Sequence, residues 1–217
     1  MADIFQEVDE EVRREQLKKL WDRYGALFIA LAVLIVVGVG AWRGYQYWQN
    51  KRAAEAGAQF EQAASLSEQG KHTEAQAAFD KIAADGPSGY SALARLRVAS
   101  ELANTDAKAA VTAYDAISGD AALDQSFRDL AALRASMLLA DTAPLDEMRR
   151  RLDPLSEPGR TFRHSAREML ALSAWRNSDA ATAKRYVDMI NDDPETPQGV
   201  RSRTELLSAL LASGGKS

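Results

Sequence analysis

The sequence predicts an all-α protein with one transmembrane helix near the N-terminus, about four helical hairpins stacked as a solenoid, and a C-terminal capping helix. Three observations support this prediction. One long apolar run stands near the start of the chain, and the rest is rich in Ala, Leu, Glu, Gln and Arg. A helical unit that ends at a proline also recurs in the part of the chain that follows the apolar run. Ala, Leu, Glu, Gln and Arg favour helices, and few segments show the alternation of apolar and polar residues that is typical of strands.

The charge and the cysteine content exclude several classes of protein. The formal net charge is −4 over 217 residues, with 27 Lys and Arg against 31 Asp and Glu. Nucleic-acid binding needs a surplus of basic residues, so we predict no nucleic-acid partner. The chain has no cysteine, which removes thiol nucleophiles, zinc-thiolate sites and disulfides.

Residues 25–41 form an uncharged apolar run that, with its flanks, is long enough to cross a bilayer. We predict a cytoplasmic tail over 1–24, a transmembrane anchor over 25–47 and a periplasmic repeat domain over 48–217. Aromatic rings on both sides are typical of membrane interfaces, where an arginine can also extend outward. The predicted interface anchors are Trp21, Tyr24, Trp42, Arg43, Tyr45 and Trp48.

Two other interpretations of this run stay open. One is a buried core helix, which the paired aromatic flanks disfavour. The other is a cleavable signal peptide, because Val39, Gly40 and Ala41 resemble a small-residue cleavage site. The apolar core exceeds the usual ~7–15 residues of such a signal, and its polar leader is long. An uncleaved anchor is preferred.

Basic residues set the predicted orientation. More of them precede the run than follow it, which places the N-terminus in the cytoplasm by the positive-inside rule. In a Gram-negative cell this means the inner membrane, with the C-terminal domain in the periplasm. Apolar residues in the tail are spaced as in an amphipathic helix, and a solvated extension of the membrane helix is the alternative. The basic residues are Arg13, Arg14, Lys18, Lys19 and Arg23 before the run, and Arg43, Lys51 and Arg52 after it.

The clearest helical hairpin covers residues 56–89. Two amphipathic segments flank a glycine, and a proline stops the second. Small residues occur where paired helices must touch, with the spacing of a tetratricopeptide repeat. We expect further helices at 90–103, around 110–117 and over 126–153, where Pro144 begins and Pro154 ends a short helix. A fourth hairpin and a cap at 199–212 follow; generic antiparallel helices without a shared groove are the alternative. The predicted packing residues are Ala63, Gly70, Ala75, Phe79, Ile82, Pro87, Ala171 and Ala183.

The sequence offers little that predicts catalysis. The two histidines, His72 and His164, lie in different repeats without a second imidazole or a thiolate near them. There is no glycine-rich phosphate loop and no nucleophile elbow. We therefore predict a non-enzymatic protein with no metal, cofactor or small-molecule substrate.

A cluster of arginines is the main local anomaly of charge. It is either a solvated face neutralised by nearby carboxylates or a patch for an acidic partner or lipid headgroups. We expect charge reversal at Arg163 and Arg167 to weaken partner binding without unfolding the domain. The candidate partner surface comprises Arg149, Arg150, Arg160, Arg163, Arg167 and Trp175.

The layout resembles the YfgM-type ancillary subunits of the SecYEG translocon. The similarity is sharpest over residues 36–52, 70–79 and 89–102, including the segments GAWRGYQYW and YSALARLRVASEL. The resemblance implies an inner-membrane protein that associates with the translocon and with a membrane-anchored periplasmic prolyl isomerase, and helps exported chains to fold. The alternative is a tetratricopeptide adaptor in another envelope complex for division, secretion or outer-membrane assembly.

Overall fold

A computed structural model describes the backbone of residues 3–214 and the side chains of Arg14, Lys18, Lys19 and residues 21–212. The chain divides into two compact units, Met1–Ala54 and Glu55–Ser217. The described residues form nine helices and no strand, which confirms the predicted all-α class. Within residues 1–20 of the predicted tail, only the side chains of Arg14, Lys18 and Lys19 are described, so the predicted amphipathic pattern lies outside the described residues.

The first unit consists of most of helix α1, Asp3–Glu68, whose last turns belong to the second unit. Its apolar stretch is long and apolar enough to cross a membrane, with a mean hydropathy of 2.5 and only 6% of the stretch buried. This exposure argues against the core-helix interpretation. The flanking rings are exposed too, and the Arg52 guanidinium lies 4.9 Å from the ring centre of Trp48.

The second unit is an array of helical hairpins. Each helix from α2 to α8 packs against the next one, and α7 also contacts α5 and α9. Four pairs result, the first formed by residues 55–68 of α1 with α2, and α9 stands last, where a cap was predicted. The bounds are α2 His72–Asp85, α3 Ser88–Leu102, α4 Ala107–Ser118, α5 Gln125–Leu139, α6 Leu145–Ser156, α7 Arg163–Arg176, α8 Ala180–Asn191 and α9 Gln198–Gly214.

Side-chain caps and turn residues explain where these helices begin. The carboxylates of Asp106, Asp124 and Asp179 accept backbone N–H groups at the starts of α4, α5 and α8. Gly70 takes a left-handed conformation in the turn of the first pair, with φ of 74°. Ser178 takes the matching place in the fourth pair with φ of 61°, where a glycine would carry no Cβ strain.

The prolines mark two further helix boundaries. Pro87 and Pro144 stand immediately before α3 and α6, where a missing N–H costs nothing. Pro154 does not end α6 as predicted, because the helix runs on to Ser156. A proline so near the end of a helix removes one backbone hydrogen bond while its fixed φ remains helical.

Small residues allow the paired helices to approach closely. Four of the predicted packing positions, Ala63, Ala75, Ala171 and Ala183, are fully buried, and Phe79 and Ile82 lie in the core with them. In the first pair the rings of Phe60 and Phe79 meet edge to face, with centroids 5.0 Å apart. Buried clusters follow one another along the array, so each pair packs against its neighbours as in a repeat protein.

Candidate protein-binding cleft

Exposed apolar side chains of the repeat unit follow a simple rule. Each large one among the described residues stands on the first helix of a pair or on the terminal helix α9, and none stands on a second helix. We call this surface the first-helix surface. The Glu168 carboxylate on α7 accepts hydrogen bonds from Arg203 on α9, so these two first-type helices lie side by side. The exposed apolar residues are Leu93, Met137, Leu172, Trp175, Leu206 and Leu210.

A cleft of about 260 Å³ opens in this surface at the first three pairs. Its walls come from α1, α3 and α5, and Tyr114 of α4 reaches it from behind. Apolar side chains supply most of the lining, together with two guanidinium groups and two hydroxyls. The lining residues are Phe60, Leu93, Leu96, Arg97, Ser100, Tyr114, Leu130 and Arg134.

The same pair of residue types occurs on two neighbouring walls. Leu93 precedes Arg97 by four residues on α3, and Leu130 precedes Arg134 by four residues on α5. Residues four apart lie above one another on a helix surface. Each wall therefore presents a leucine with a guanidinium one turn further along.

The two arginines of the cleft are exposed and have no carboxylate partner among the described side chains. Arg97 lies 6.0 Å from the ring centre of Phe79. Burial raises the pKa of Tyr114, while a hydrogen bond with Ser100 and the positive charges of Arg134 and Arg97 act in the opposite direction. Both guanidinium groups are thus near enough to influence the hydroxyl at the back of the cleft. The result is an apolar cleft with positive charge on two walls.

A buried carboxylate next to the cleft joins the first two pairs. Glu101 is 2% exposed, accepts a hydrogen bond from the Ser67 hydroxyl at 2.6 Å, and lies 2.7 Å from His72 Nδ1. Proximity in the sequence did not indicate that His72 meets a carboxylate, because Glu101 is 29 residues away in the chain. The signal available in the sequence was the length of the repeat, because Ser67 and Glu101 are 34 residues apart, about one repeat.

The predicted arginine cluster is organised differently from its sequence pattern. Arg160 lies before α7, and its guanidinium donates to Asp129 at 2.9 Å. Arg163 donates to Asp193 at 2.9 Å and also to Glu195. These carboxylates come from segments 30 to 32 residues away and are not the nearby carboxylates that the sequence suggested.

Arg167 is a core residue, so its prediction as part of an exposed patch was wrong. It is 4% exposed and donates to the Ser156 carbonyl at 2.9 Å, the Met189 carbonyl at 3.2 Å and Asp193 at 2.9 Å. Hydrogen bonds from Arg163 chiefly, and also from His164 and Arg167, hold the pKa of Asp193 well below its usual range. Charge reversal at Arg163 and Arg167 would place acids against Asp193, so we no longer expect it to spare the fold.

The remaining candidate surface residues are accessible, and their role as partner contacts stays a prediction. Arg149 lies 3.6 Å from Asp153 in an i, i+4 pair, and the neighbouring Arg150 is exposed on α6. Trp175 is about half exposed on α7 and belongs to the first-helix surface. The structure therefore separates Trp175, which points to solvent with the apolar residues, from Arg149 and Arg150 on a second helix.

The comparisons agree with this architecture. A family model described as a tetratricopeptide repeat-like domain matches residues 18–169, which is more than half of the chain. The match begins before the apolar stretch and ends within α7, so it spans both the stretch and the cleft. No curated protein and no solved structure gives a significant match.

Proposed function

Because the chain belongs to the tetratricopeptide repeat-like domain family, we propose that it is a non-catalytic, membrane-anchored scaffold that binds segments of other proteins on its first-helix surface. Repeat domains of this family generally act through protein–protein contacts and not through catalysis. Their stacked helices present extended surfaces that hold a partner by many modest contacts.

One observation carries the proposal, namely that the exposed large apolar side chains described in the repeat unit are confined to the first helices and α9, and that the cleft opens between three first helices. Exposed apolar surface concentrated on one set of helices is typical of interaction sites. A surface of leucine, methionine and tryptophan side chains suits segments that are themselves apolar and not yet buried. Newly exported chains, which have not folded, present such segments.

We further propose the membrane layout that the sequence predicts. Residues 1–24 form a cytoplasmic tail, 25–47 span the inner membrane, and 48–217 lie in the periplasm. The exposed apolar surface of the stretch and the rings at its ends support the anchor. The larger number of basic residues before the apolar run than after it supports a cytoplasmic N-terminus.

At a finer level, we propose an ancillary, chaperone-like role at the SecYEG translocon, beside a membrane-anchored periplasmic prolyl isomerase. The resemblance of residues 36–52, 70–79 and 89–102 to YfgM-type subunits supports this assignment. Two of these segments belong to α2 and α3, which build the first two helix pairs. An anchored domain with an apolar cleft would meet exported chains as they leave the channel.

Affinity purification from gently solubilised membranes tests this role. The tagged full-length chain should recover translocon subunits and the prolyl isomerase, identified by mass spectrometry. A variant with Leu93→Asp and Leu130→Asp should lose bound client chains, because two carboxylates would replace apolar contacts of the cleft. Recovery of division or outer-membrane machinery without translocon components would instead establish the adaptor role.

Protease accessibility in spheroplasts tests the layout. The repeat domain should be digested when only the outer membrane is breached, leaving a protected N-terminal fragment that contains the anchor. Mature protein beginning near Trp42 would show cleavage of a signal peptide. A domain digested only after the inner membrane is opened would reverse the orientation.

A further inference from the structure

We propose that the cleft selects segments in which an acidic residue stands next to an aromatic or aliphatic one, and that Arg97 and Arg134 determine this specificity. The inference rests on the proposed function, since it names the chemistry of the bound segment. It specifies which types of residue the bound segment contains, and it does not specify which protein the segment belongs to.

These two arginines differ from several others in the repeat unit, whose guanidinium groups are paired with carboxylates. Arg95, on the same helix as Arg97, donates to Asp120 at 2.6 Å, and Arg151 on α6 donates to Asp115 at 2.6 Å. Arg97 and Arg134 have no such partner among the described residues, and they stand at matching places one repeat apart. The fold thus leaves two cations facing one cleft.

The side chains around Arg97 and Arg134 strengthen the attraction of these two arginines for an anion. A guanidinium group offers a planar set of donors that matches a carboxylate, and charge-assisted hydrogen bonds are the stronger ones. Leu93 and Leu130 stand one turn away from the two arginines, and Phe60 closes the wall from α1. Apolar neighbours lower the local dielectric constant once a ligand displaces water, which strengthens the charge interaction.

The size of the cleft limits what is recognised. At about 260 Å³ it is smaller than a typical drug-sized site of roughly 300–1,000 Å³. It therefore accommodates one or two side chains of a segment and not a folded surface. A carboxylate between the two guanidinium groups and a neighbouring ring or branched side chain against the leucines fills this space. Basic segments are repelled.

Peptide binding to the full-length chain in nanodiscs tests the inference. The probes are fluorescein-labelled dodecapeptides of Gly and Ser that carry two Phe-Asp pairs, with a matched peptide in which both Asp are Asn. Fluorescence anisotropy measures the dissociation constants at low and moderate salt. We expect the acidic peptide to bind about tenfold more tightly, with the difference shrinking as salt screens the charges.

A double variant and a matched control assign the effect to residues. Arg97→Gln with Arg134→Gln should abolish the preference while the neutral peptide still binds. Arg150→Gln, which removes an exposed arginine from a second helix, should leave the preference unchanged. Replacing both cleft arginines by Lys should restore part of it, because the charge returns without the planar donors.

Several outcomes would overturn the inference. Equal binding of both peptides would show an apolar cleft without charge selection and would leave the proposed scaffold function intact. A preference that survives the double variant would place recognition elsewhere. A dimer that the double variant dissociates, with neither peptide bound, would identify a second copy of the chain as the occupant. Failure to recover translocon subunits would affect only the proposed function, since peptide selection is measured on the purified chain.

Discussion

Two groups of arginines in the same domain have opposite environments. Near the fourth pair, Arg163 and Arg167 converge on Asp193, and Arg167 is almost fully buried. At the second and third pairs, Arg97 and Arg134 stand exposed beside an apolar cleft, and neither is paired with a carboxylate among the described side chains. A high density of arginine along the chain therefore does not identify a binding surface. The unpaired cations are the ones available to a partner.

The two groups of arginines therefore have different physical roles, one in stability and the other in binding. Asp193 lies in the loop between α8 and α9, and through it two guanidinium groups from α7 hold that loop in place. Removing one member of such a buried group leaves charges without compensation. The cleft arginines lose little on replacement, because water already solvates them. Four measurements test whether the two groups of arginines differ in this way.

The first measurement removes the shared carboxylate. Asp193→Ala removes the acid that Arg163 and Arg167 share, which leaves Arg167 without a carboxylate and Arg163 with Glu195 alone. We expect the free energy of unfolding to fall by about 3 kcal/mol. Urea denaturation followed by circular dichroism gives the value. Glu195→Ala is the matched control, because that carboxylate is mostly exposed and pairs only with Arg163. Equal stability of the Asp193 variant and wild type would remove the distinction between the two groups.

The second measurement removes one buried cation. Arg167→Gln loses donors to two backbone carbonyls and to Asp193, although Arg163 and His164 still contact the acid. We expect a loss of roughly 2 kcal/mol, since buried acceptors are left without partners. The same denaturation experiment measures it. A loss below that of Arg150→Gln would contradict the burial of Arg167.

The third measurement varies the pH. Since the pKa of Asp193 is depressed from 3.8 in the folded protein, its stabilising contribution is complete above that value. The contribution is lost as the pH falls towards the folded pKa. We therefore expect the stability gap between wild type and Asp193→Asn to narrow on acidification below about pH 4. A gap that widens in acid would show that the ionised Asp193 carboxylate does not stabilise the folded protein.

The fourth measurement concerns the cleft, where we expect almost no change in stability. The double replacement of Arg97 and Arg134 by Gln should alter the free energy of unfolding by less than about 0.5 kcal/mol, as for exposed positions generally. Denaturation of the variant beside wild type tests this. A loss as large as that of Arg167→Gln would make the cleft arginines structural and weaken their role in recognition.

The helical architecture was predictable because its signals are local. Apolar periodicity, Gly70, Pro87 and Pro144 act within a few residues of the boundaries that they set. The small residues of the first hairpin, such as Ala63 and Ala75, occupy the buried positions expected of touching helices. Pro154 was misjudged by two residues, because its effect depends on how much helix remains after it.

The cleft and the ion pairs were not predictable, since they depend on contacts between repeats. Asp193 is 26 residues from Arg167, and Glu101 is 34 from Ser67. The density of arginine in the sequence predicted a basic patch that includes Arg160, Arg163 and Arg167. In the folded protein these three side chains are paired with carboxylates. Aligning α3 with α5 would have paired Leu93 with Leu130 and Arg97 with Arg134. That alignment was the signal available in the sequence.

The buried Glu101 has a consequence for how the array comes apart. In a linear stack the end units open most easily, since they have one neighbour each. Here the carboxylate of α3 is shared with Ser67 of α1 and His72 of α2. Opening the first hairpin alone would strand a desolvated anion, so amide protons of α2 and α3 should exchange with solvent as one cooperative block.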